Sequence, residues 1–171
     1  QIESIHFEWF LDPAHAADSF RRWHREKKNS GGLAVHKATH HFDLINWLIE
    51  KKPIEVYAKG GLYFYGAKNS LFNGTNCRVC LHKNECKFYK DYSNDEAINS
   101  MFYQAEHEDG YFRDGCVYSE KIDIEDTITA LISYEDNIDM SYKLIAYAPY
   151  EGYRVSSTGD KGRIESEDYH G

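Results

Sequence analysis

From Thr127 onward the chain alternates apolar and polar residues, with Ile128, Ala130 and Ile132 on one side. Asp136-Asn137 then turns it back into a second run over 139–148. Successive strand residues point to opposite faces, so this period of two calls for a sheet with one face covered. The pattern recurs at both ends. Residues 2–11 set Ile5, Phe7 and Trp9 against Ser4, His6 and Glu8, and 152–158 and 163–165 flank a Gly159-Asp160-Lys161-Gly162 turn. The cover comes from two stretches of helical spacing, 14–28 and 35–50. Asp12-Pro13 supplies an N-cap and a first-turn proline for the former. Lys52-Pro53 ends the latter, and 54–65 reads as a further strand with Ile54, Val56 and Ala58 on one face and a bulge at Gly60-Gly61. Helices early and strands late give an α+β class: an open, largely antiparallel sheet with helices on one face. Residues 69–115 break the pattern. They are polar, Cys-bearing and weakly periodic, with one short helix near 95–104, and read as an insertion over the surface.

The bulk numbers exclude several functions. The 171 residues suit one domain with a core of its own. Twenty basic against twenty-eight acidic residues give a net charge of −8, which argues against nucleic acid, since neutralising phosphates needs a basic face. No apolar run is long enough to span a bilayer. The chain begins in mid-strand without an initiator Met, so it is expected to follow another segment, and its compartment is expected to be the cytoplasm, with the periplasm as the alternative. Aromatic residues make up 15%, fourteen of them tyrosines, which suits both sugar stacking and strand formation.

The chemistry concentrates where the second helix begins. Ser30-Gly31-Gly32 lets the backbone take a positive φ or pass close to a neighbour, and His36, Lys37, His40, His41 and Asp43 follow. Residues four apart share a helix face, so His36 pairs with His40 and Lys37 with His41. An imidazole can give and take a proton near neutral pH. His40 is thus the candidate acid/base, Asp43 its orienting carboxylate, and Lys37 a group to steady a developing oxyanion. His36-x-x-x-His40 also fits a metal pair lacking its third ligand. Tyr111 and Arg113, with Tyr153 in the late strands, suit hydroxyl-rich or anionic ligands.

Cys77-x-x-Cys80 is followed by Cys86, with His82 between them and Cys116 thirty residues on. Structural zinc, disulfides and free thiols all fit this spacing. The expectation is a structural zinc held by Cys77, Cys80, Cys86 and Cys116 that pins the insertion. Asn73-Gly74-Thr75 matches a glycosylation sequon.

In chain order, Ser30-Gly31-Gly32, His40-x-x-Asp43, Trp47-Leu48, Pro53-Ile54-Glu55-Val56, Asp123-x-x-Asp126, Glu151-Gly152-Tyr153-Arg154 and Gly162-Arg163-Ile164-Glu165 resemble the second domain of the glucose–fructose oxidoreductase, inositol dehydrogenase and MocA-like (Gfo/Idh/MocA) family. The resemblance spans nearly the whole chain. It implies a C-terminal substrate-binding and oligomerisation domain over 1–171. A Rossmann domain before it would hold NAD or NADP, the substrate would be a sugar, glycoside or cyclitol, and the assembly would be a homo-oligomer. Family dehydrogenases commonly show Asp-x-Gly-x-His before the helix; here that frame reads His36-x-Ala38-x-His40, which keeps the acid/base position and replaces the two others. His36, His41, Tyr111, Arg113 and Tyr153 would line the substrate. Isolated, the domain would be inactive. Two alternatives remain: a non-catalytic sugar-binding or assembly module, and a domain of an enzyme that cleaves glycosides with NAD.

Overall fold

The computed structural model describes residues 1–69 and 74–170. Asn73 of the sequon lies outside them. Six strands form one open sheet: β1 (Ile2–Phe10), β2 (Pro53–Gly61), β3 (Thr127–Tyr134), β4 (Ile138–Ile145), β5 (Glu151–Gly159) and β6 (Gly162–His170). Their order across the sheet is β2-β3-β4-β1-β5-β6. β1 runs parallel to β4, and every other neighbouring pair is antiparallel, as the α+β reading requires. The registers keep the inward residues level. Ile5 sits beside Met140, Phe7 beside Tyr142, and Ala130 beside Tyr142 from the other side.

Helices cover that inward face. α1 (Pro13–Arg21) starts at Asp12, whose carboxylate accepts from the amides of Ala14 at 2.7 Å and His15 at 3.1 Å. It buries Ala16, Ala17 and Phe20. The single helix expected over 14–28 is not continuous. Arg22 adopts an extended backbone (ψ −171°), and a short 3-10 turn at Trp23–Arg25 and a one-turn α2 (Lys27–Ser30) follow. The second expected helix is also two pieces, α3 (Leu33–His36) and α4 (Ala38–Ile49), offset at Lys37 (φ −113°, ψ −54°). α4 presses Ala38, His41, Ile45 and Ile49 onto the sheet. Its outer side leaves Leu44, Trp47 and Leu48 exposed.

One strand expectation needs correction. The irregularity in β2 lies between Pro53 and Glu55, not at Gly60-Gly61, which pair in register with Ile128 and Thr127. Proline has no amide to give the ladder, so the disturbance falls at the strand's first residue. Ile54, Val56 and Ala58 share one face, as expected; β2 is an edge strand, and all three are exposed.

Among its described residues, the segment between β2 and β3 adds no strand to the sheet. It contains α5 (Glu96–Ile98), continued as a π-helical turn over Asn99–Tyr103, and α6 (Glu106–Asp109). A buried arginine fastens it to α1. Arg21, 1% exposed, donates to the Phe88 carbonyl at 2.5 Å, the Gly115 carbonyl at 3.1 Å and Cys77 Sγ at 3.0 Å. Arg78 holds its far end by bridging Glu106 and the fully buried Asp114. Phe88 packs beside Tyr65, which stacks on Phe20 of α1 at 3.9 Å.

Candidate functional site

Gly31 (φ +74°) and Gly32 (φ +84°) turn the chain into α3 through the left-handed region, where a Cβ is strained. Gly32 faces a second constraint: a Cβ there would lie 2.6 Å from Glu125 Oε1. Glu125 is buried, accepts from the Ala34 amide at 3.0 Å and pairs with Lys27 Nζ at 3.3 Å. The turn thus fixes where α3 and α4 begin. The next residue does the same for the entry to the insertion. Asp126, fully buried, accepts from the amides of Tyr63, Phe64 and Tyr65 at 2.6–3.1 Å. Neither acid was picked out as a site residue from sequence, although two adjacent carboxylates before an apolar strand were a visible signal. A cleft of about 360 Å³ opens beside this turn, lined by Lys27, Ala34, Lys59, Leu62 and Glu125 among others. Its lining includes no histidine.

The predicted site residues divide at the start of α4. His40 is exposed, in the first turn, with its amide 3.4 Å from the Lys37 carbonyl. Lys37 is half-buried and Asp43 exposed. Among the described residues, no hydrogen bond or ion pair joins Asp43 to His40. His36 is half-buried, with its ring 4.5 Å from that of His24 and 5.7 Å from Trp23. Burial lowers the His36 pKa, and the charges of Lys37, Arg22 and His40 lower it further.

His24 was not singled out from sequence; its place between Trp23 and Arg25 was the available signal. It is 9% exposed, and its Nδ1 has no hydrogen-bond partner. Burial pushes its pKa down to about 4, helped by His36, Arg22, Lys37 and Arg113. Arg113 of the insertion is thus near enough for its charge to act on His24. Arg113 lies over the Phe102 ring at 5.0 Å, and Tyr111 packs against the same ring at 6.1 Å.

His41 and Tyr153 belong elsewhere. His41 is 8% exposed and faces the sheet, where its Nδ1 meets the Tyr142 hydroxyl at 2.8 Å and its ring lies 4.4 Å from Trp9. Burial pushes its pKa down to about 4. Tyr153 stacks on Trp9 at 6.1 Å. Position around α4 gives the physical reason: residues 40 and 41 lie about 100° apart around a helix, so His41 faces the sheet while His40 is turned to solvent.

The cysteines are four free thiols that share the lining of a small cavity of about 20 Å³ with Arg21 and Phe88. Among the described residues, no group of three or more Cys, His, Asp or Glu is placed to hold a metal ion. The zinc expectation therefore finds no support. Cys77 Sγ is engaged by Arg21 and Cys116 Sγ accepts from the Tyr118 amide at 3.4 Å, so protein groups already supply the fastening expected of a metal.

This architecture has known counterparts. The whole chain, residues 1–171, matches the family described as the oxidoreductase family, C-terminal alpha/beta domain. The chain belongs to the Gfo/Idh/MocA oxidoreductase family. It is 40% identical over 188 residues to YteT of Bacillus subtilis (strain 168), an oxidoreductase by name, covering 99% of this chain and 42% of that protein. The chain therefore spans less than half the length of this relative. Three solved structures share the fold. An oxidoreductase domain protein from Kribbella flavida aligns with a TM-score of 0.58 at 11% identity, over 97% of this chain and 34% of that one. The WlbA dehydrogenase of Bordetella pertussis, solved with NADH and UDP-GlcNAcA, aligns at 0.56 and 14%, over 98% and 35%. An apo scyllo-inositol dehydrogenase from Lactobacillus casei aligns at 0.52 and 19%, over 97% and 32%. Like these Gfo/Idh/MocA members, the chain carries an open sheet with helices; no helix among its described residues is long and apolar enough to cross a membrane.

Proposed function

We propose that this chain is the substrate-binding and oligomerisation domain of an NAD(P)-dependent oxidoreductase acting on a sugar, glycoside or cyclitol, with His40 as its acid/base. The observation that carries the reading is the exposed His40 in the first turn of α4, beside Lys37 and across from His36. Two relatives support it by their own ligands and names: WlbA was solved with NADH and UDP-GlcNAcA, and the Lactobacillus casei protein is a scyllo-inositol dehydrogenase.

The described residues do not fit a dinucleotide. None of the strands runs through a Gly-rich turn into a helix N-terminus, the arrangement that cradles a pyrophosphate. NAD(P) would supply the hydride acceptor from a preceding Rossmann domain. The exposed apolar side of α4, with Leu44, Trp47 and Leu48, supports a further domain packing there, as does the 42% coverage of YteT. This chain's own part is to place a hydroxyl between His40 and Lys37. The His40 imidazole takes the hydroxyl proton as the carbonyl forms and returns it in the reverse direction. The Lys37 ammonium steadies negative charge on that oxygen. We place the protein in the cytoplasm and expect self-association through the outer face of the sheet.

The test is the full-length protein assayed with NAD⁺ and NADP⁺ against a panel of sugars and cyclitols, following reduced nicotinamide by absorbance. Turnover that His40→Ala abolishes supports the reading. Turnover that survives His40→Ala removes His40 from the mechanism, and a panel with no turnover at all favours the non-catalytic sugar-binding module.

A further inference from the structure

The surroundings of His36 are unusual in a chain of net charge −8. The His24 and His36 rings lie 4.5 Å apart, the charges of Arg22, Lys37 and Arg113 act on His24, and those of Arg22, Lys37 and His40 act on His36. The leading charges acting on His24 and His36 are all basic. Asp18 approaches Arg22 Nη1 at 4.0 Å, and among the described residues no ion pair reaches Arg113, Lys37 or His24. Yet Asp and Glu outnumber Lys and Arg in the chain as a whole.

The second observation concerns donors. Arg22 Nε, His24 Nδ1, Arg113 Nε and Arg113 Nη1 are buried and lack a hydrogen-bond partner. So is the hydroxyl of Tyr111, which shares the Phe102 ring with Arg113. Buried N–H groups are nearly always paired, because an unmet one costs about 1–3 kcal/mol. The guanidinium N–H groups among them, from α1's end and the insertion, form a set of donors without acceptors. A planar guanidinium is suited to carboxylate and phosphate oxygens.

We propose that this cluster binds a negatively charged group on the substrate, a carboxylate or phosphate carried by the sugar, and that Arg113 of the insertion is the residue that selects for it. The proposal rests on the sugar-oxidoreductase reading and narrows its substrate class to acidic sugars. It also gives the segment between β2 and β3 a role, since it delivers Arg113 and Tyr111 to a site otherwise built from α1, α3 and α4.

The experiment is calorimetric titration of the full-length protein, saturated with NAD⁺, against matched acid and neutral pairs: D-glucuronate with D-glucose and D-galacturonate with D-galactose. Glucose 6-phosphate is the phosphate arm. At least one acidic compound is expected to bind 10-fold or more tightly than its neutral partner, with the advantage shrinking in 0.5 M NaCl. Preference for a uronate assigns a carboxylate, and preference for the 6-phosphate assigns a phosphate. Arg113→Met should cancel the preference with the circular dichroism spectrum unchanged, and Arg113→Lys should restore part of it. Should Arg113→Met fail to fold, Arg113→Gln asks the same question. If no acidic compound binds more tightly than its neutral partner, the proposal is overturned, and turnover of a neutral sugar in that case leaves the oxidoreductase reading standing. Tight binding of an acidic sugar without its oxidation in any pair would keep the anion site and remove the dehydrogenase.

Discussion

His40 and His41 are neighbours in the sequence and opposites in the fold. His41 is sealed against the sheet, hydrogen-bonded to Tyr142 and packed on Trp9 and Phe7. His40 stands in solvent on the side shared by Lys37 and His36. The same contrast runs through the polar groups nearby. Asp126, on the sealed side, has its acceptors filled by three amides and the Thr127 hydroxyl, whereas the donors of Arg113 and His24 have no acceptor.

The sharpest way to break this comparison is to truncate both histidines. In the full-length enzyme, His40→Ala should lower kcat by about 10²–10⁴ with a melting temperature close to wild type. His41→Ala should do the reverse, costing about 2–4 kcal/mol in denaturant unfolding, because it opens a void under Trp9 and strips the Tyr142 hydroxyl of its partner, while kcat stays within a few-fold. If His41→Ala abolished turnover without unfolding the protein, the two sides of α4 would have to be reassigned.

Acid should find the sealed side next. The folded-state pKa of His41 is lowered to about 4 from an ordinary 6.5, so between those values the unfolded chain binds the proton that the folded one refuses. Stability is therefore full above about pH 6.5 and falls as pH drops toward 4, by on the order of 3 kcal/mol for this group. His24 shifts in the same direction and adds to the loss. Urea unfolding at pH 7, 5.5 and 4 measures the slope, and His41→Phe should flatten part of it. An unchanged slope would mean that His41 is not buried neutral.

Gly32→Ala is a smaller perturbation, expected to cost about 1–3 kcal/mol, since it forces a Cβ into both a left-handed backbone and the Glu125 carboxylate. A wild-type melting temperature in that variant would show that the turn relaxes freely. The smallest effect is expected from dialysis against EDTA, which should leave the melting curve where it was. A drop of several degrees would restore a metal to the four cysteines.

The sheet was legible because its cue is local. Ile128, Ala130 and Ile132 announce a buried face whatever lies around them, and the structure buries all three. β2 shows where that logic stops. Val56 and Ala58 alternate correctly, but edge position decides whether anything covers them, and position in a sheet is a long-range property. The helix breaks at Arg22 and Lys37 were likewise hidden, because neither residue is a breaker and both offsets answer to packing. At the site, the post-glycine turn and His40 stood out from residue type and spacing. His24 did not, since its meeting with His36 and Arg113 joins three separate stretches of chain. Glu125 and Asp126 were visible as acids, but not the backbone amides they hold, because those amides come from residues about sixty to ninety positions away.

The parallel pairing of β1 with β4 also sets a timetable. β1 is the first of these six strands to be made, and it lies between β4 and β5, among the last of them. At about 5–20 residues per second, the roughly 130 residues separating them take on the order of ten seconds to synthesise. Throughout that interval Ile5, Phe7 and Trp9 have no strand on either side. The sheet cannot grow outward from its first strand. It has to close around that strand at the end, when the β3–β4 hairpin and the β5–β6 hairpin arrive on its two edges.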